Sequence, residues 1–301
     1  MLRSIESERC LSNVGEIRAN ADHLLGEHDD VASAGASQSS QIRRGLIDLC
    51  EGALRIHLWG LLGWQDIRQR YRRSLIGPFW LTISMGTMIA ALGLLYAGLF
   101  GLELASYLPF LALGFIVWGL ITGFVTEGCT AFTTADAIIK QVELPLSVHV
   151  YRILCRNIIV FAHNFLIFVL VAIIFSVFPG WAGFFFIPGL VLLILNGVWI
   201  GLLFGLISAR FRDVPQVAAS VVQVAFFLTP IIWKPESLPN SSILVLYLNP
   251  FFYLVEVVRA PLLGSVPSLS FWLMTLGFTL AGWVVAFYFF QRFRWRIAYW
   301  M

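Results

Sequence analysis

The chain has 301 residues, of which 59% are hydrophobic and 12% are charged. Soluble globular domains contain about 45–50% apolar and about 25% charged residues, so the composition excludes a water-soluble enzyme, a nucleic-acid-binding domain and a disordered scaffold. The chain is therefore predicted to be an all-α integral membrane protein, and its formal net charge of +3 must be interpreted in that context.

The first 41 residues differ from the rest of the chain. Residues 27–41 lack a repeating apolar face and are rich in small polar side chains, which is typical of a flexible segment. The leading residues mix acidic and basic side chains, and the first apolar stretch of membrane length begins only after residue 73, so we expect no cleavable signal peptide. Residues 1–41 are predicted to form a flexible cytoplasmic tail.

Residues 42–73 show a different pattern. Their apolar side chains recur largely at intervals of three and four residues, which predicts an amphipathic helix. This segment ends in four arginines and two aromatic residues directly before the first apolar stretch, as suits a helix in the cytoplasmic headgroup layer. The alternative is that these arginines only orient the protein in the membrane. The residues predicted to contact headgroups are Trp64, Asp66, Arg68, Arg70, Tyr71, Arg72 and Arg73.

Long stretches without Asp, Glu, Lys or Arg follow, in a predicted membrane domain of residues 74–301. A transmembrane helix needs about 20 apolar residues. The uncharged run from Asn157 to Ala209 is too long for one helix and contains the turn signal Pro179-Gly180, so it is divided into two spans. The six predicted transmembrane helices are 78–100, 106–127, 157–178, 184–207, 214–233 and 270–290.

The basic residues lie mainly on one predicted side of the membrane. Of the 20 lysines and arginines, Lys234 and Arg259 alone fall on the opposite side. Because cytoplasmic flanks are enriched in Lys and Arg, both termini are predicted to be cytoplasmic. The net positive charge therefore reflects membrane topology rather than nucleic-acid binding.

The loop from Glu127 to Arg156 is predicted to face the cytoplasm. It is long enough for a short helix over Thr134–Val142, followed by a break at Leu144-Pro145. Such a helix could bind in a groove on another protein.

One unusual segment lies on the predicted outer side. Residues 242–255 are almost entirely apolar but too few to span a bilayer, and Asn249-Pro250 divides them. We expect two short helices that enter the bilayer and return as a re-entrant pair, with Glu256 and Arg259 on one face of the second helix. The alternative is a helical hairpin on the membrane surface.

Four motifs connect the sequence to a known family. The segment Asp66-Ile-Arg-Gln-Arg-Tyr-Arg-Arg-Ser-Leu-Ile-Gly-Pro-Phe-Trp80 resembles the signature at the start of the first span in ABC-2 type permeases that export polysaccharides, although Ile76 stands where the family more often has Leu. The resemblance covers about residues 55–301 and is strongest to the lipopolysaccharide O-antigen exporters and their capsule and teichoic-acid relatives. Three further segments resemble the same family in the same order: Val142-Glu-Leu-Pro145, Arg210-Phe-Arg-Asp213, and Leu248-Asn-Pro-Phe-Phe-Tyr253 with Arg259.

The resemblance implies a transport permease rather than an enzyme, working as two copies of a six-span subunit with two separate ATPase subunits. This chain would bind no cofactor itself, and ATP and Mg²⁺ would bind to the partner ATPase; the phosphate-binding pattern G-x-x-x-x-G-K-[ST] is absent from the sequence. Glu127 would take part in coupling to the ATPase, and it is expected to pair with an arginine of the amphipathic helix. The loop helix would contact the ATPase through Thr133, Asp136, Ile139 and Lys140. The re-entrant pair would form an outer gate that includes Asn249, Pro250, Tyr253, Glu256 and Arg259.

The implied substrate is a polyprenyl-diphosphate-linked polysaccharide, such as an O-antigen, that crosses the inner membrane among membrane lipids. Electrostatic attraction would draw its diphosphate to Arg68, Arg70, Arg72 or Arg73. Sugars present apolar C–H faces, so aromatic side chains could line a conduit in which a glycan slides without deep binding wells. Packing against lipid or other helices is the alternative use of such side chains. The conduit candidates are Trp80, Tyr96, Tyr107, Phe110 and Trp118.

Other classes of function lack their sequence features. An ABC-2 permease for a drug or small lipid is the nearest alternative, and the basic segment before Gly77-Pro78 weighs against it. An integral-membrane enzyme of glycan assembly would need clustered carboxylates, histidines or a metal site, and a secondary transporter would need buried ionisable groups near the midplane. Neither feature is evident. The four cysteines share no metal-ligand spacing, so no metal site is predicted.

Overall fold

The computed structural model describes residues 40–72, 77, 79–237 and 246–300. Statements about the structure refer to these residues, so most of the predicted tail and Arg73 lie outside them. The described secondary structure consists of helices and the turns between them, as expected for an all-α membrane protein. The chain divides into two compact units, residues 1–47 and residues 48–301, and in the first unit residues 40–47 are helical.

Short 3-10 turns precede or follow some of the helices, at Thr133–Ala135, Gly180–Phe185, Pro235–Ser237 and Arg294–Arg296. In chain order the helices are α1 (40–54), α2 (Ile56–Arg70), α3 (Phe79–Phe100), α4 (Leu104–Gly128), α5 (Asp136–Gln141), α6 (Ser147–Ile174), α7 (Phe186–Arg210), α8 (Val214–Leu228), α9 (Pro250–Leu262), α10 (Leu269–Phe293) and α11 (Ile297–Trp300).

Five of these helices, α3, α4, α6, α7 and α10, are long and apolar enough to cross a membrane. They correspond to the first, second, third, fourth and sixth predicted spans. The chain is therefore a multi-pass membrane protein.

The fifth predicted span, 214–233, is shorter in the structure. Helix α8 has 15 residues, which at 1.5 Å per residue reach about 22 Å, less than the roughly 30 Å of a hydrocarbon core. The helix stops at Leu228 because Pro230 follows, and the residue before a proline disfavours the helical region. Thr229 is accordingly extended, with φ −96° and ψ 136°. A sixth crossing remains a prediction.

The predicted amphipathic helix is interrupted. Arg55, between α1 and α2, has φ −80° and ψ 49°, outside the α-helical region. The prediction of one continuous helix over 42–73 is therefore wrong.

The interruption follows from how α1 and α2 pack against α6. A Cβ atom on Gly52 would lie 2.1 Å from the Ser147 Oγ atom, and one on Gly63 would lie 3.0 Å from the Arg152 carbonyl oxygen. Eleven residues of straight helix would separate the two glycines by about 16 Å, whereas their partners are about 8 Å apart along α6. The break at Arg55 lets both glycines contact the same helix.

Helix α9 matches the second helix of the predicted re-entrant pair. Pro250 occupies its first turn, and the Asn249 side chain caps it by accepting a hydrogen bond from the Phe251 backbone N–H at 3.0 Å. Ten of its 13 residues are buried, against α4, α7 and α10. This burial disagrees with a hairpin on the membrane surface. Most of the first helix of the pair falls on residues 238–245, outside the described residues.

Helix α4 lies at the centre of the bundle. Sixteen of its 25 residues are buried, and it packs against α3, α6, α7, α8 and α9. A Cβ atom on Gly128 would lie 3.1 Å from the Cα atom of Gly201 on α7. Glycine at this position therefore permits the close approach of the two backbones.

Asp48 ties three parts of the second unit together. Its carboxylate accepts hydrogen bonds from the backbone N–H groups of Leu146 (3.1 Å) and Ser147 (3.0 Å), where α6 begins. It also pairs with Arg294, which follows α10, at 3.1 Å. The side chain of Asp48 is only 2% exposed, so loss of these partners would leave unpaired polar groups in the protein interior. Sequence patterns gave no indication of this role.

We predict that Asp48→Ala lowers the free energy of unfolding by about 3 kcal/mol, because it leaves the start of α6 and the Arg294 guanidinium without their common partner. Thermal unfolding of the purified protein in detergent measures the effect. Asp213→Ala is the matched control, since Asp213 is exposed at the N-cap of α8 and makes no side-chain cap hydrogen bond; it should change stability by less than about 0.5 kcal/mol. Equal effects of the two substitutions would contradict the role of Asp48.

Candidate functional site

A buried ionic network joins α2, α4 and α6 at the end of the bundle where α4 finishes and α6 begins, called here the basic end. Asp66 on α2 accepts hydrogen bonds from two arginines on α6. Arg152 donates from Nε at 2.7 Å and also from Nη2, and Arg156 donates from Nη1 at 3.2 Å. The Asp66 side chain is 10% exposed. Its charge is therefore paired in a largely dry environment, where charged hydrogen bonds are stronger than in water.

Glu127, in the last turn of α4, completes the network. Its Oε2 atom accepts hydrogen bonds from Arg156 (Nη2, 2.7 Å; Nε, 3.1 Å) and from Asn157 (Nδ2, 2.7 Å). Its Oε1 atom accepts a hydrogen bond from Arg70 Nη2 at 3.3 Å. Glu127 thus pairs with an arginine of the amphipathic segment, as the sequence led us to expect. The shorter bonds come from Arg156, because Arg156 is mostly buried whereas half of the Arg70 side chain is exposed.

Close packing of α4 against α6 makes this pairing possible. A Cβ atom on Gly123, one turn before Glu127, would lie 2.0 Å from the Asn157 Oδ1 atom. Only glycine leaves room there for Asn157 to reach Glu127. Helix α6 begins at Ser147, directly after the predicted break at Leu144-Pro145, and its first ten residues precede the predicted span and carry Arg152 and Arg156.

The other face of α2 remains uncovered. Trp64 is 53% exposed and Leu61 is 68% exposed, next to the exposed Arg68 and Arg70. An apolar surface flanked by arginines is what a helix in a headgroup layer requires.

Two side chains near the network carry raised pKa values. Tyr71 directly follows α2, and partial burial raises the pKa of its phenol, although the neighbouring Arg70 acts in the opposite direction. Cys129 directly follows α4, and burial raises the pKa of its thiol. Both groups are therefore protonated at neutral pH, and the Cys129 thiol is a poor nucleophile and metal ligand.

Helix α5 lies where the loop helix was predicted. Asp136 and Lys140 form an i,i+4 ion pair at 2.7 Å, with close to half of each side chain exposed. Ile139 is partly buried and packs against the core, and Thr133 is exposed. The Glu127 carbonyl accepts a hydrogen bond from the Thr130 hydroxyl at 2.8 Å, so the ionic network and the segment that leads to α5 are connected.

A cleft of about 280 Å³ opens beside α5. It brings the start of α5 next to the α7–α8 connection and to α11, which also contacts α5 and α7. The residues that line it are Thr133, Asp136, Ser208, Ala209, Arg212, Pro215 and Trp300.

At the opposite end of the bundle, Arg259 on α9 is fully buried, with 0% exposure. Its Nε and Nη2 atoms donate to Glu256 at 3.1 and 2.5 Å, and its guanidinium carbon lies 3.8 Å from the centre of the Phe110 ring. Its Nη1 atom donates to the Pro230 carbonyl at 2.7 Å. Glu256 and Arg259 therefore share a face as predicted, and the pair is also bound to the segment that follows α8.

Of the other proposed gate residues, Asn249 contacts the same segment. The Asn249 side chain donates to the Thr229 hydroxyl at 2.9 Å and to the Leu228 carbonyl at 3.3 Å. The Tyr253 hydroxyl donates to the Tyr247 carbonyl at 2.8 Å. Pro250 starts α9.

The five conduit candidates have different environments. Tyr107, Phe110 and Trp118 are buried in the packing between α4, α8 and α9, where Trp118 contacts Phe226 and Phe251. Within this chain these three side chains pack against other helices and do not face an open path, which corrects that expectation. Trp80 is 55% exposed on α3, and Tyr96 is partly exposed and stacks on Phe100.

Sequence reasoning missed several residues of the network. Arg152, Arg156 and Asn157 were counted only as part of a basic loop and the start of a span. The four-residue spacing of the two arginines on one helix face was a usable signal. Their acidic partners lie 29 to 90 residues away in the chain, so the sequence could not identify them.

A family model described as ABC-2 type transporter matches residues 57–263. The match covers more than half of the chain. The chain belongs to the ABC-2 type transporter family. The matched range begins in α2 and ends just after α9, so it includes both the ionic network and the segment bound by Arg259.

The chain is also similar to three named relatives at low sequence identity. An O-antigen export system permease protein RfbA from Myxococcus xanthus is 21% identical over 199 residues, covering 65% of this chain and 76% of the relative. Two proteins of the same name from Klebsiella pneumoniae are 21% identical over 191 residues, covering 62% and 72%, and 23% identical over 245 residues, covering 78% and 91%.

We predict that a double-mutant cycle of Glu127→Gln and Arg156→Gln gives a coupling energy of about 1.5–3 kcal/mol in unfolding, since both groups are mostly buried and directly bonded. The cycle of Glu127→Gln with Arg70→Gln is the control and should give less than about 1 kcal/mol, because Arg70 is half exposed. Chemical or thermal unfolding in detergent measures both. A larger coupling for Arg70 than for Arg156 would contradict the description of the network.

Proposed function

We propose that this chain is the permease subunit of an ATP-driven exporter that moves a polyprenyl-diphosphate-linked polysaccharide, of the O-antigen class, across the inner membrane. The observation that carries the proposal is that all three relatives described above bear the name of an O-antigen export permease, within a family match that covers most of the membrane domain. The order of motifs from Asp66 to Arg259 agrees with this assignment.

Energy would come from a separate ATPase, of which two copies would bind to two copies of this chain, with ATP and Mg²⁺ held by the ATPase. The exposed charges of Asp136 and Lys140 on α5, and the cleft beside them, provide a surface for such a partner. Ile139 packs against the core of the bundle, and this contact would transmit a force on α5 to the bundle. The ionic network would in the same way fix α2 to α4 and α6, so that α2 could not move without them.

A homodimer would explain the uncovered faces of α3 and α8. Within this chain, only 17% of an apolar 18-residue stretch of α3 is buried. On α8, Ala218, Val222 and Ala225 face the bundle while the remaining sides are exposed. A second copy packed against these faces would also bury the shorter helix α8 in protein, where a helix of 15 residues is tolerated.

The basic end would face the cytoplasm, and both termini would lie on that side, because cytoplasmic flanks are enriched in Lys and Arg. The exposed Arg68 and Arg72, with the half-exposed Arg70, are then placed to attract a diphosphate from the headgroup layer. Trp80 and Tyr96 remain candidates for contact with the glycan, since both are accessible on α3.

We expect that deletion of the gene for this chain abolishes surface polysaccharide and causes lipid-linked polymer to accumulate inside the cell, because synthesis would continue without export. Gel analysis of surface polysaccharide and of the lipid-linked fraction measures both effects, and the intact gene restores export. Unchanged surface polysaccharide without internal accumulation would contradict the substrate.

We expect that Lys140→Glu and Asp136→Lys each reduce co-purification of the ATPase with this chain several-fold, because charges at an interface determine partner association. Neither should alter thermal stability much, since an exposed ion pair contributes less than about 1 kcal/mol. The double substitution that exchanges the two charges separates the explanations. Co-purification of the ATPase should stay low in this double variant if the ATPase contacts each charge at its own position. Full recovery of co-purification would mean that only the ion pair between the two residues matters.

Glu103→Lys is the matched control for these charge reversals. Glu103 is exposed at the N-cap of α4, at the end of the bundle opposite α5, and makes no side-chain cap hydrogen bond. It should leave ATPase association unchanged.

A further inference from the structure

Residues 229–232 form a short non-helical segment between α8 and the 3-10 turn at Pro235–Ser237, called here the strap. Thr229 and Ile231 are fully buried, each with 0% exposure. Non-helical backbone inside a membrane protein is stable only if other parts of the protein take up its hydrogen-bonding groups. The partners of the strap therefore decide where it lies.

Three carbonyl groups, one on Leu228 at the end of α8 and two in the strap, each accept a hydrogen bond from the side chain of a different residue. Asn249 donates to the Leu228 carbonyl at 3.3 Å, and Arg259 donates to the Pro230 carbonyl at 2.7 Å. Tyr107 on α4 donates to the Ile232 carbonyl at 2.5 Å. The segment bends sharply at Pro230, where the Ile231 backbone N–H donates to the Thr229 carbonyl at 2.8 Å.

The donor from α9 is held rigidly. The Arg259 guanidinium is bonded to Glu256 through two nitrogen atoms and stacks on the Phe110 ring at 3.8 Å, which leaves Nη1 directed at the strap. Charge-assisted hydrogen bonds and a cation–π contact together fix its orientation.

The donor from α4 belongs to a helix face shaped for the strap. Tyr107, Phe110 and Gly114 are three and four residues apart, so they share one face of α4. A Cβ atom on Gly114 would lie 3.2 Å from Ile231 Cγ2 and 3.3 Å from the Ile231 carbonyl oxygen. The strap therefore lies directly on the backbone of α4 at this glycine.

We propose that the strap is the moving part of the outer gate, and that Tyr107, Asn249 and Arg259 are positioning residues that hold it closed against α4. The inference deepens the proposed function and rests on it.

The bonds from α4 and α9 to the strap come from side chains. Thr229 is also bonded to the Ala225 carbonyl of α8, through its backbone N–H at 2.9 Å and its hydroxyl at 2.7 Å. The strap can therefore leave α4 while it stays attached to α8, and no helix has to unwind. The Tyr107 bond to the strap is a single neutral hydrogen bond, and such bonds add little net free energy in proteins, so a cycle driven by ATP can break it.

The test measures how accessible the strap is in the full complex with its ATPase. The four native cysteines, Cys10, Cys50, Cys129 and Cys155, are replaced by alanine, and Ile231→Cys introduces a thiol that is buried when the strap is closed. A membrane-impermeant quaternary-ammonium methanethiosulfonate is added on the outer side. The rate of thiol modification is recorded with and without ATP.

In the otherwise unsubstituted complex, modification should be slow at rest and faster during ATP hydrolysis. Tyr107→Phe removes one hydroxyl and keeps the ring, and it should raise the resting rate about tenfold, since one hydrogen bond corresponds to about one tenfold step in an equilibrium. Arg259→Lys should raise it at least as much. In both variants ATP should raise the modification rate little further, because the strap is already released. A purely structural defect would leave the increase with ATP unchanged.

Tyr288→Phe is the matched control, because Tyr288 is half exposed near the far end of α10, and its modification rate should equal that of the parent. The proposal is overturned if Tyr107→Phe leaves the resting rate unchanged, or if ATP hydrolysis does not alter modification in the parent. If Arg259→Lys fails to reach the membrane, Tyr107→Phe alone decides the outcome. The assay measures the accessibility of the strap and not the transport of polysaccharide. The strap proposal can therefore be contradicted while the proposed export function holds, because the deletion strain tests export separately.

Discussion

A lipid bilayer supplies no water to buried polar groups, and the structure depends on how this chain meets that constraint within itself. At the basic end, the carboxylates of Asp66 and Glu127 are bound by arginines of α6. At the other end, the carbonyl groups of Leu228, Pro230 and Ile232 are bound by the side chains of Asn249, Arg259 and Tyr107. Both sites pair polar groups that the fold removes from water with other groups of the protein.

The two sites meet this requirement with bonds of different strength. The network at the basic end consists of charged groups linked through several bonds each, and loss of one member leaves an uncompensated charge. It therefore fixes α2 to the bundle. The strap is held by one side-chain donor per carbonyl, a set of bonds that can be broken in turn at modest cost. Rigid attachment at one end and a releasable segment at the other suit a transporter that is driven from one side.

Helix α4 connects the two sites. Tyr107 lies near its start and Glu127 near its end, and the 20 residues between them correspond to about 30 Å of helix. The helix is continuous from Leu104 to Gly128 and mostly buried. In the proposed transport cycle, a force that the ATPase applies to α2 or α5 would reach α4 through Glu127 and would be felt by the strap at Tyr107.

The sequence by itself determined the features that depend on neighbouring residues. Apolar length defined five of the six predicted spans, and Asn249-Pro250 marked the start of α9. The three-residue spacing of Glu256 and Arg259 placed them on one helix face. Each of these is a local property of one helix. Only the tertiary structure decided which distant groups meet. It placed Arg152 and Arg156 in the ionic network, joined Asp48 to Arg294, and turned Tyr107, Phe110 and Trp118 into the packing instead of a conduit. Helical periodicity states which face of a helix a residue occupies, but the partner of that face is set by how all the helices pack together.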